Sequence, residues 1–205
     1  MSDTELPPLF NRHWTEYALA LSAIIISAIS LWVAVDTEYT NRHLVEEASW
    51  PFLAIDYNNL NAEGQPDFSL NITNEGIGPA KIETLQVFWK GKPYRSANAL
   101  LKACCGYNPR PFGAQSDKSG HPITGLITST SAGTVLRAGQ VRRAIQYAQT
   151  LNNPKIWRAV DSQKENFSYR ICYCSVFNKC WLSNGHDLNP PRVETCPQPK
   201  VGYNN

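Results

Sequence analysis

One long apolar run lies near the start of the chain, and it is followed by shorter segments in which apolar and polar residues alternate. The apolar run, 17–35, contains no charged residue. At about 1.5 Å rise per residue it would span roughly 28 Å as a helix, close to the thickness of a bilayer's hydrocarbon core. Trp14 and Trp32 lie where aromatic rings favour the headgroup layers. We therefore expect one transmembrane helix at 17–35, preceded by a cytoplasmic tail at 1–16.

All six cysteines follow the apolar run. An even number of cysteines confined to one domain is the pattern expected where disulfides persist. Charge alone does not decide the orientation, because Arg12 before the run is balanced by Arg42 after it. The cysteines therefore favour export of the domain that follows the helix, with these disulfide candidates: Cys104, Cys105, Cys172, Cys174, Cys180 and Cys196.

Two other interpretations of the cysteines stay open. In a cytosolic domain they would be reduced structural residues. In a metal site, Cys172, Cys174 and Cys180 would supply soft ligands together with His121 and His186, although no CxxC pair is present and the spacing matches no standard zinc motif.

Residues 36–50 contain no glycine or proline and predict a helical stalk that prolongs the membrane helix. Small residues recur at spacings of three and four along the membrane helix. Small residues on one face let two such helices approach closely, so a homodimer through the membrane is one possibility. The candidates for helix self-association are Ala20, Ala23, Ser27, Ser30 and Ala34.

Alternating apolar and polar residues predict an antiparallel β-sandwich over 51–183. Within 67–73 every second side chain is apolar. Phe68 and its alternate neighbours should therefore face the core, while Ser69 and Asn71 face water, as in a half-buried strand. The fold class is mainly β, with an N-terminal transmembrane helix before the sandwich.

One irregularity and two short helices interrupt this pattern. The alternation slips by one residue near Glu83 and Thr84, which predicts a β-bulge. A helix should run from an N-cap at Ser96 to Cys105, and a second should begin at Asn153, with proline just inside it.

The last strongly alternating segment predicts a hairpin with its turn at 177–179. That turn brings Cys180 back beside Cys174, so we favour a disulfide between these two residues. We further expect Cys104 and Cys105 to tie their helix to the strand. Six cysteines allow fifteen connectivities, and the sequence does not choose among them.

Two segments show little periodicity. Residues 107–120 hold prolines and glycines and predict a long surface loop, which is a candidate contact surface. Residues 184–205 form a Pro- and Asn-rich C-terminal tail that should lie over the surface and be pinned by Cys196.

The stretch NITNEGIGPAKIETLQV at 71–87 resembles a strand-turn-strand unit of uncharacterised bacterial single-pass membrane proteins, where N-x-G-x-G-P-A joins two strands of an immunoglobulin-like sandwich. YCSVFNKCW resembles the closing hairpin of that group. In the turn, Gly76 and Gly78 are expected to permit positive φ and Pro79 to end the turn. The resemblance implies an immunoglobulin-like β-sandwich and a bacterial inner-membrane protein with its C-terminal domain in the periplasm. It implies no activity.

Catalytic motifs are absent from the sequence: there is no G-x-S-x-G elbow, Walker loop, H-E-x-x-H or dinucleotide fingerprint. The net charge of +2 shows no basic stripe for nucleic acid. We predict no enzyme, no cofactor and no metal, and expect as partners the lipid bilayer and envelope proteins.

The function expected is that of a membrane-anchored, disulfide-stabilised binding or scaffolding module. The first alternative is a thiol-disulfide redox or sensor protein that uses Cys104 and Cys105. The second alternative is a cytosol-facing metal-binding domain.

Overall fold

The computed structural model describes residues 12–109 and 125–204. The chain divides into two compact units, one containing the first helix and the other beginning at Ala48. The first helix, α1, runs without interruption over Arg12–Glu47, which covers the expected span at 17–35 and the expected stalk at 36–50 except its last three residues. Its part Trp14–Glu47 is long and apolar enough to cross a membrane.

The second unit is built from two antiparallel sheets. The strands are β1 Leu53–Leu60, β2 Pro66–Asn74, β3 Ala80–Trp89, β4 Lys92–Tyr94, β5 Leu126–Thr128, β6 Thr134–Leu136, β7 Val141–Ala148, β8 Phe167–Cys174, β9 Cys180–Ser183 and β10 Arg192–Val193. One sheet has the order β1-β2-β7-β5, and the other has the order β10-β9-β8-β3-β4, with β6 paired to the same edge of β3 as β4. The fold class expected from the sequence, an N-terminal apolar helix followed by antiparallel sheets, is confirmed.

A single hydrophobic core lies between the two sheets. Phe68 of β2 and Phe167 of β8 meet across it with ring centroids 5.9 Å apart. Alternate residues of the central strands join them, as the period of two requires. The expectation that β2 is half-buried is wrong, however, because Ser69 and Asn71 on its other face are also buried.

The bulge expected in β3 is confirmed. The register between β3 and β8 shifts between Ile82 and Thr84, which leaves Glu83 as the extra residue. A second irregularity, which the sequence did not suggest to us, lies between β2 and β7 at Leu70 and Asn71. It adds a residue to β7 and changes the direction of the side chains beyond it.

Two short helices pack on the sandwich, as expected. Helix α2, Ala97–Cys105, begins where the Ser96 side chain accepts from the Ala99 amide, and it ends at Gly106, whose φ of 72° is left-handed. Helix α3, Pro154–Ser162, has proline in its first turn and buries Trp157 and Val160. A short 3₁₀ turn, Lys164–Asn166, leads into β8.

The turn between β2 and β3 is organised by the buried side chain of Asn74. Its Nδ2 donates to the carbonyl oxygens of Gly78 (2.8 Å) and Leu136 (3.0 Å), and its Oδ1 accepts from the amides of Gly76 (3.1 Å) and Phe52 (3.3 Å). All four hydrogen-bonding positions of the side-chain amide are therefore used.

The expectation that Gly76 and Gly78 provide positive φ is wrong, because neither lies among the residues with positive φ. They are required for close approach. A Cβ on Gly76 would lie 2.3 Å from the Phe52 nitrogen, and one on Gly78 would lie 1.9 Å from the Ser49 oxygen. The turn therefore packs closely against the segment through which the chain enters the domain and fixes its position.

The C-terminal segment is part of the fold and contributes more than a surface tail. It supplies β10 and then crosses the second sheet, where the Tyr203 amide donates to the Leu85 carbonyl at 2.8 Å and the Asn204 amide to Arg95 at 2.8 Å. Leu85 lies between the parts of β3 that pair with β6 and β4. The segment therefore fills a gap in that edge, and Tyr203 is only 1% exposed.

Candidate functional site

A polar groove lies on the face of the first sheet opposite the core. Its volume is about 920 Å³. Side chains from all four strands of this sheet and from the adjoining loops line it: Asp56, Asn58, Leu60, Asn61, Ala62, Glu63, Asp67, Ser69, Asn71, Thr73, Ile127, Ser129, Gln140, Val141, Arg142, Arg143 and Gln146. No aromatic ring occurs among these lining residues of the described chain.

The floor of the groove is a row of buried polar residues on β2. Asp67, Ser69 and Asn71 are 5%, 6% and 5% exposed, and they occupy alternate positions along the strand. Asp67 Oδ2 accepts from Gln146 Nε2 at 2.6 Å. Asn71 Nδ2 donates to Ser69 Oγ at 3.3 Å and, weakly, to Asp56 Oδ2 at 3.4 Å.

Two acceptors on this floor have no hydrogen-bond partner within the described chain. They are Asp67 Oδ1 and Asn71 Oδ1, and both atoms are buried. At the groove's side, Arg142 Nη1 donates to the Thr130 carbonyl at 3.2 Å, while its buried Nε has no partner among residues 12–109 and 125–204. A buried polar group without a partner costs about 1–3 kcal/mol. Such groups are few in native proteins, so their concentration here marks the groove as a candidate binding site.

Neighbouring strands extend the polar surface sideways. Asp56 on β1 and Arg143 on β7 lie opposite Asn71 in the register, and Gln146 on β7 lies opposite Ser69. Carboxylates and guanidinium groups are thus interspersed, and neither sign of charge dominates the groove. The arrangement offers both hydrogen-bond donors and acceptors across its width.

Four of the six cysteines meet at one end of the second sheet. Cys172 is bonded to Cys196, and Cys174 is bonded to Cys180. The second pair is the one favoured from the sequence, and its residues lie directly opposite each other on β8 and β9. Cys196 belongs to the C-terminal segment, so the first pair pins that segment to β8, as expected.

The remaining two cysteines, Cys104 and Cys105, are bonded to each other at the end of α2. The expected link from this helix to the strand is therefore not formed. Both residues are half-buried and pack against the core. They lie at the C-terminal end of a helix, where the dipole disfavours a thiolate, although Lys102 lies in the same turn.

The candidates for helix self-association lie along α1. Ser27 donates its hydroxyl to the Ala23 carbonyl at 2.8 Å, so this hydroxyl already has a partner within its own helix. Packing of small residues, more than hydrogen bonding by Ser27, would then hold two such helices together. Ala20, Ser30 and Ala34 share the same helix.

Sequence reasoning missed the groove. It took Ser69 and Asn71 as water-facing, and the signal available was only a row of polar residues at alternate positions, which most half-exposed strands show. Most of the loop expected as a contact surface, and His121, lie outside the described residues. His186 is exposed and is not one of the residues of the metal-ligand cluster found in the described part of the chain.

Comparison of the chain with protein-family models, with curated proteins and with solved structures finds no match. The fold and the site by themselves define the class of protein: a β-sandwich domain with three disulfides that follows a helix able to span a membrane.

Proposed function

We propose that this chain is a single-pass bacterial inner-membrane protein whose periplasmic domain binds a ligand in the groove of the first sheet. The apolar helix and the three disulfides support an anchored domain in an oxidising compartment. The proposal of a periplasmic orientation rests on the cysteines, and that of a bacterial origin rests on the resemblance of 71–87.

The observation that carries the binding role is the pair of buried acceptors on the groove floor, Asp67 Oδ1 and Asn71 Oδ1. A ligand that donates to both atoms would satisfy two groups that the described part of the chain leaves unpaired. The resulting gain in binding free energy is selective, because a ligand without hydrogen-bond donors at those positions would leave the two acceptors buried and unsatisfied.

The lining favours an extended, uncharged, hydroxyl-rich ligand, such as a short oligosaccharide chain. A hydroxyl donates and accepts, so it can pair with Asp67, Asn71 and Arg142 alike. Because acidic and basic side chains are interspersed, no strongly charged ligand is favoured. The polar row from 67 to 73 extends about 20 Å along the strand, which suits a linear chain better than a compact metabolite.

Binding is tested with neutral linear tetrasaccharides of glucose and of N-acetylglucosamine, added to the full chain in detergent micelles and followed by NMR chemical shifts. Shifts confined to groove residues support the proposal. Asp67→Asn turns the free acceptor into a donor and should weaken binding about tenfold, the equivalent of about 1.4 kcal/mol. Asp187→Asn, an exposed carboxylate outside the groove, is the matched control and should bind normally.

The proposed ligand class would be wrong if the groove residues responded to an extended peptide and to none of the saccharides. The binding role itself would be wrong if neither probe moved any groove resonance at millimolar concentration.

A second candidate function is thiol-disulfide exchange or redox sensing at Cys104 and Cys105. The observation in its favour is that this pair is closed on itself, so its reduction would leave the other two disulfides in place. Selective labelling of Cys104 and Cys105 under mild reductant, with the other four cysteines protected, would support it. Equal resistance of all six cysteines would contradict it.

We also propose that two copies of the chain associate within the membrane through α1. A reporter of membrane-helix association should give a dimer signal that Ala23→Leu abolishes, since a larger side chain separates the two backbones. Leu19→Ile, a substitution outside the small-residue stripe, is the control. A monomeric signal from the unmodified helix would contradict the idea.

A further inference from the structure

We propose that Cys172, Cys174, Cys180 and Cys196, here called the sulfur cluster, form a redox-linked metal site. When the two disulfides of the cluster are reduced, the four thiolates bind one Zn²⁺ ion. This inference does not rest on the groove. It assigns reversible metal binding to the second sheet, in addition to the stabilisation that its disulfides provide.

The positions of the sulfur atoms carry the proposal. The Sγ atoms of Cys174 and Cys196 belong to different disulfides but lie 3.8 Å apart. Together with Cys180 Sγ they lie within 4.8 Å of one another. Zinc binds four thiolates tetrahedrally at about 2.3 Å, which places neighbouring sulfurs about 3.8 Å apart. The one contact between the disulfides already has the separation that a tetrahedral site requires.

The fourth sulfur, Cys172 Sγ, is bonded to Cys196 Sγ. It is not one of the three sulfurs that lie within 4.8 Å of one another, so its side chain has to turn toward the other ligands after reduction. The sulfurs of each former disulfide also have to separate to about 3.8 Å, the distance between neighbouring zinc ligands. Rotation about the side-chain torsions of the cysteines is the movement that the proposal requires.

Three chain segments fix these ligands. Cys172 and Cys174 occupy alternate positions on β8, Cys180 lies opposite Cys174 on β9, and Cys196 comes from the C-terminal segment. Cys172, Cys174 and Cys180 are 0%, 5% and 6% exposed, so the site is closed in the manner of a structural zinc centre. The sequence suggested Cys172, Cys174 and Cys180 as ligands together with two histidines, and the structure replaces the histidines with Cys196.

Positive charge is available for the resulting complex. One Zn²⁺ with four thiolates carries a net charge of −2. Lys81 lies opposite Cys174 in the register of β3 and β8, and its ammonium group donates to Asn178 Oδ1 in the adjacent hairpin turn at 2.5 Å. This lysine places a cation beside the segment that holds Cys180.

The exchange balances in electrons and protons. Two equivalents of a phosphine transfer four electrons to the two disulfides, and two water molecules supply the oxygen of the phosphine oxide and the four hydrogens of the four thiols. Two equivalents of a dithiol achieve the same reduction by passing on their own four hydrogens, and each dithiol closes to a cyclic disulfide. Binding of Zn²⁺ then releases the four thiol protons. Two equivalents of a small-molecule disulfide, acting as oxidant by thiol-disulfide exchange, take up the four electrons again, re-form the two disulfides of the cluster and release the metal.

The test uses the full chain in detergent micelles, reduced with a phosphine, freed of metal and titrated with Zn²⁺ in competition with a chromophoric chelator. We expect one Zn²⁺ per reduced chain and none per oxidised chain. With Zn²⁺ bound, iodoacetamide should label only Cys104 and Cys105. Replacement of Zn²⁺ by Co²⁺ should give the strong ligand-field absorption of a tetrahedral thiolate site.

The matched pair of variants separates the cluster from the other cysteines. Cys104→Ser with Cys105→Ser should bind Zn²⁺ as tightly as the unmodified chain. Cys174→Ser with Cys180→Ser should bind it more than about 100-fold more weakly, since loss of a supporting residue alone costs 10- to 100-fold. The alkylation pattern tests the same claim in the unmodified chain, in case the second variant does not fold. Absence of stoichiometric Zn²⁺ in the reduced chain, or labelling of all six cysteines in its presence, would overturn the proposal.

Discussion

The side-chain amide of Asn74 donates to the carbonyl oxygen of Gly78 at 2.8 Å and so closes the turn between β2 and β3 from within. The same side chain also donates to the Leu136 carbonyl and accepts from the Phe52 amide, so one buried residue joins the turn, the end of β6 and the start of the domain. This relationship explains the N-x-G-x-G pattern as structural. It also identifies the turn as a position where small changes should be costly.

Asn74→Ala should lower the free energy of unfolding by about 3 kcal/mol. The substitution removes a side chain that is 0% exposed and leaves buried amides and carbonyls without partners, each costing about 1–3 kcal/mol without simple additivity. Guanidinium unfolding of the full chain in detergent, followed by near-UV circular dichroism, measures this loss. Glu75→Ala, an exposed neighbour, should change stability by less than about 0.5 kcal/mol. Equal effects of the two substitutions would contradict the role given to Asn74.

Gly78→Ala should destabilise the domain by more than about 2 kcal/mol, because the new Cβ would lie 1.9 Å from the Ser49 oxygen and the backbone would have to move. Gly202→Ala is the matched control, since its Cβ would meet only Pro199 Cγ at an ordinary 3.6 Å. The same unfolding experiment compares the two. If Gly78→Ala is as stable as the unmodified chain, close packing of the turn against the first residues of the domain does not contribute to stability.

Tyr203→Ala should cost about 3 kcal/mol, in the range found for truncation of large buried aromatic side chains. Its side chain is 1% exposed, and its backbone amide fills the gap at Leu85 on the edge of β3. Asn204→Ala, at an exposed neighbouring position, should be nearly neutral. If both variants unfold at the same denaturant concentration as the unmodified chain, the segment is a surface tail after all.

Removal of the two disulfides of the sulfur cluster should have unequal effects. The bond between Cys172 and Cys196 closes a loop with a sequence separation of 24, whereas the bond between Cys174 and Cys180 has a separation of 6. Loop-closure entropy then predicts losses of about 3 and about 2 kcal/mol for the respective double serine variants. Unfolding of the oxidised variants in metal-free buffer measures the difference. A larger loss at the shorter loop would show that packing outweighs chain entropy here.

Much of the fold was predictable from local signals. The Ser96 cap, the Gly106 stop, the proline of α3 and the phase slip at Glu83 each depend on neighbouring residues, so the sequence displays them directly. Pairing of Cys174 with Cys180 followed from a tight hairpin for the same reason.

The rest depends on tertiary contacts that no local pattern records. Gly78 was assigned to a turn conformation, whereas its neighbour in space is Ser49, and that contact exists only once the domain has folded. In the sequence, Asn71 occupies a polar position of an alternating segment, as a water-facing residue does. In the folded domain, however, side chains from adjacent strands bury it. The groove was missed for this reason. Of the sulfur cluster the sequence suggested only Cys172, Cys174 and Cys180 as possible metal ligands, because Cys196 comes from a segment distant in the chain.

Alkaline pH should destabilise the domain through its buried tyrosines. Burial raises the pKa of Tyr147 and of Tyr173 to about 12, and burial also raises the pKa of Tyr169. Smaller effects accompany burial: the neighbouring Tyr107 also raises the pKa of Tyr147, whereas the Leu53 backbone lowers that of Tyr173. In the unfolded chain these phenols ionise near pH 10.

Because the folded-state pKa is the higher one, the neutral phenol is favoured in the folded state. Its contribution is complete below about pH 10 and is lost as the pH rises toward about 12, at up to about 1.4 kcal/mol per pH unit for each group. Absorbance of phenolate and near-UV circular dichroism, recorded together during a rapid base titration, should show these tyrosines ionising only as tertiary structure is lost. Tyr173→Phe should make the decline of stability between about pH 10 and 12 less steep. Ionisation of all tyrosines near pH 10 with intact near-UV circular dichroism would contradict their burial.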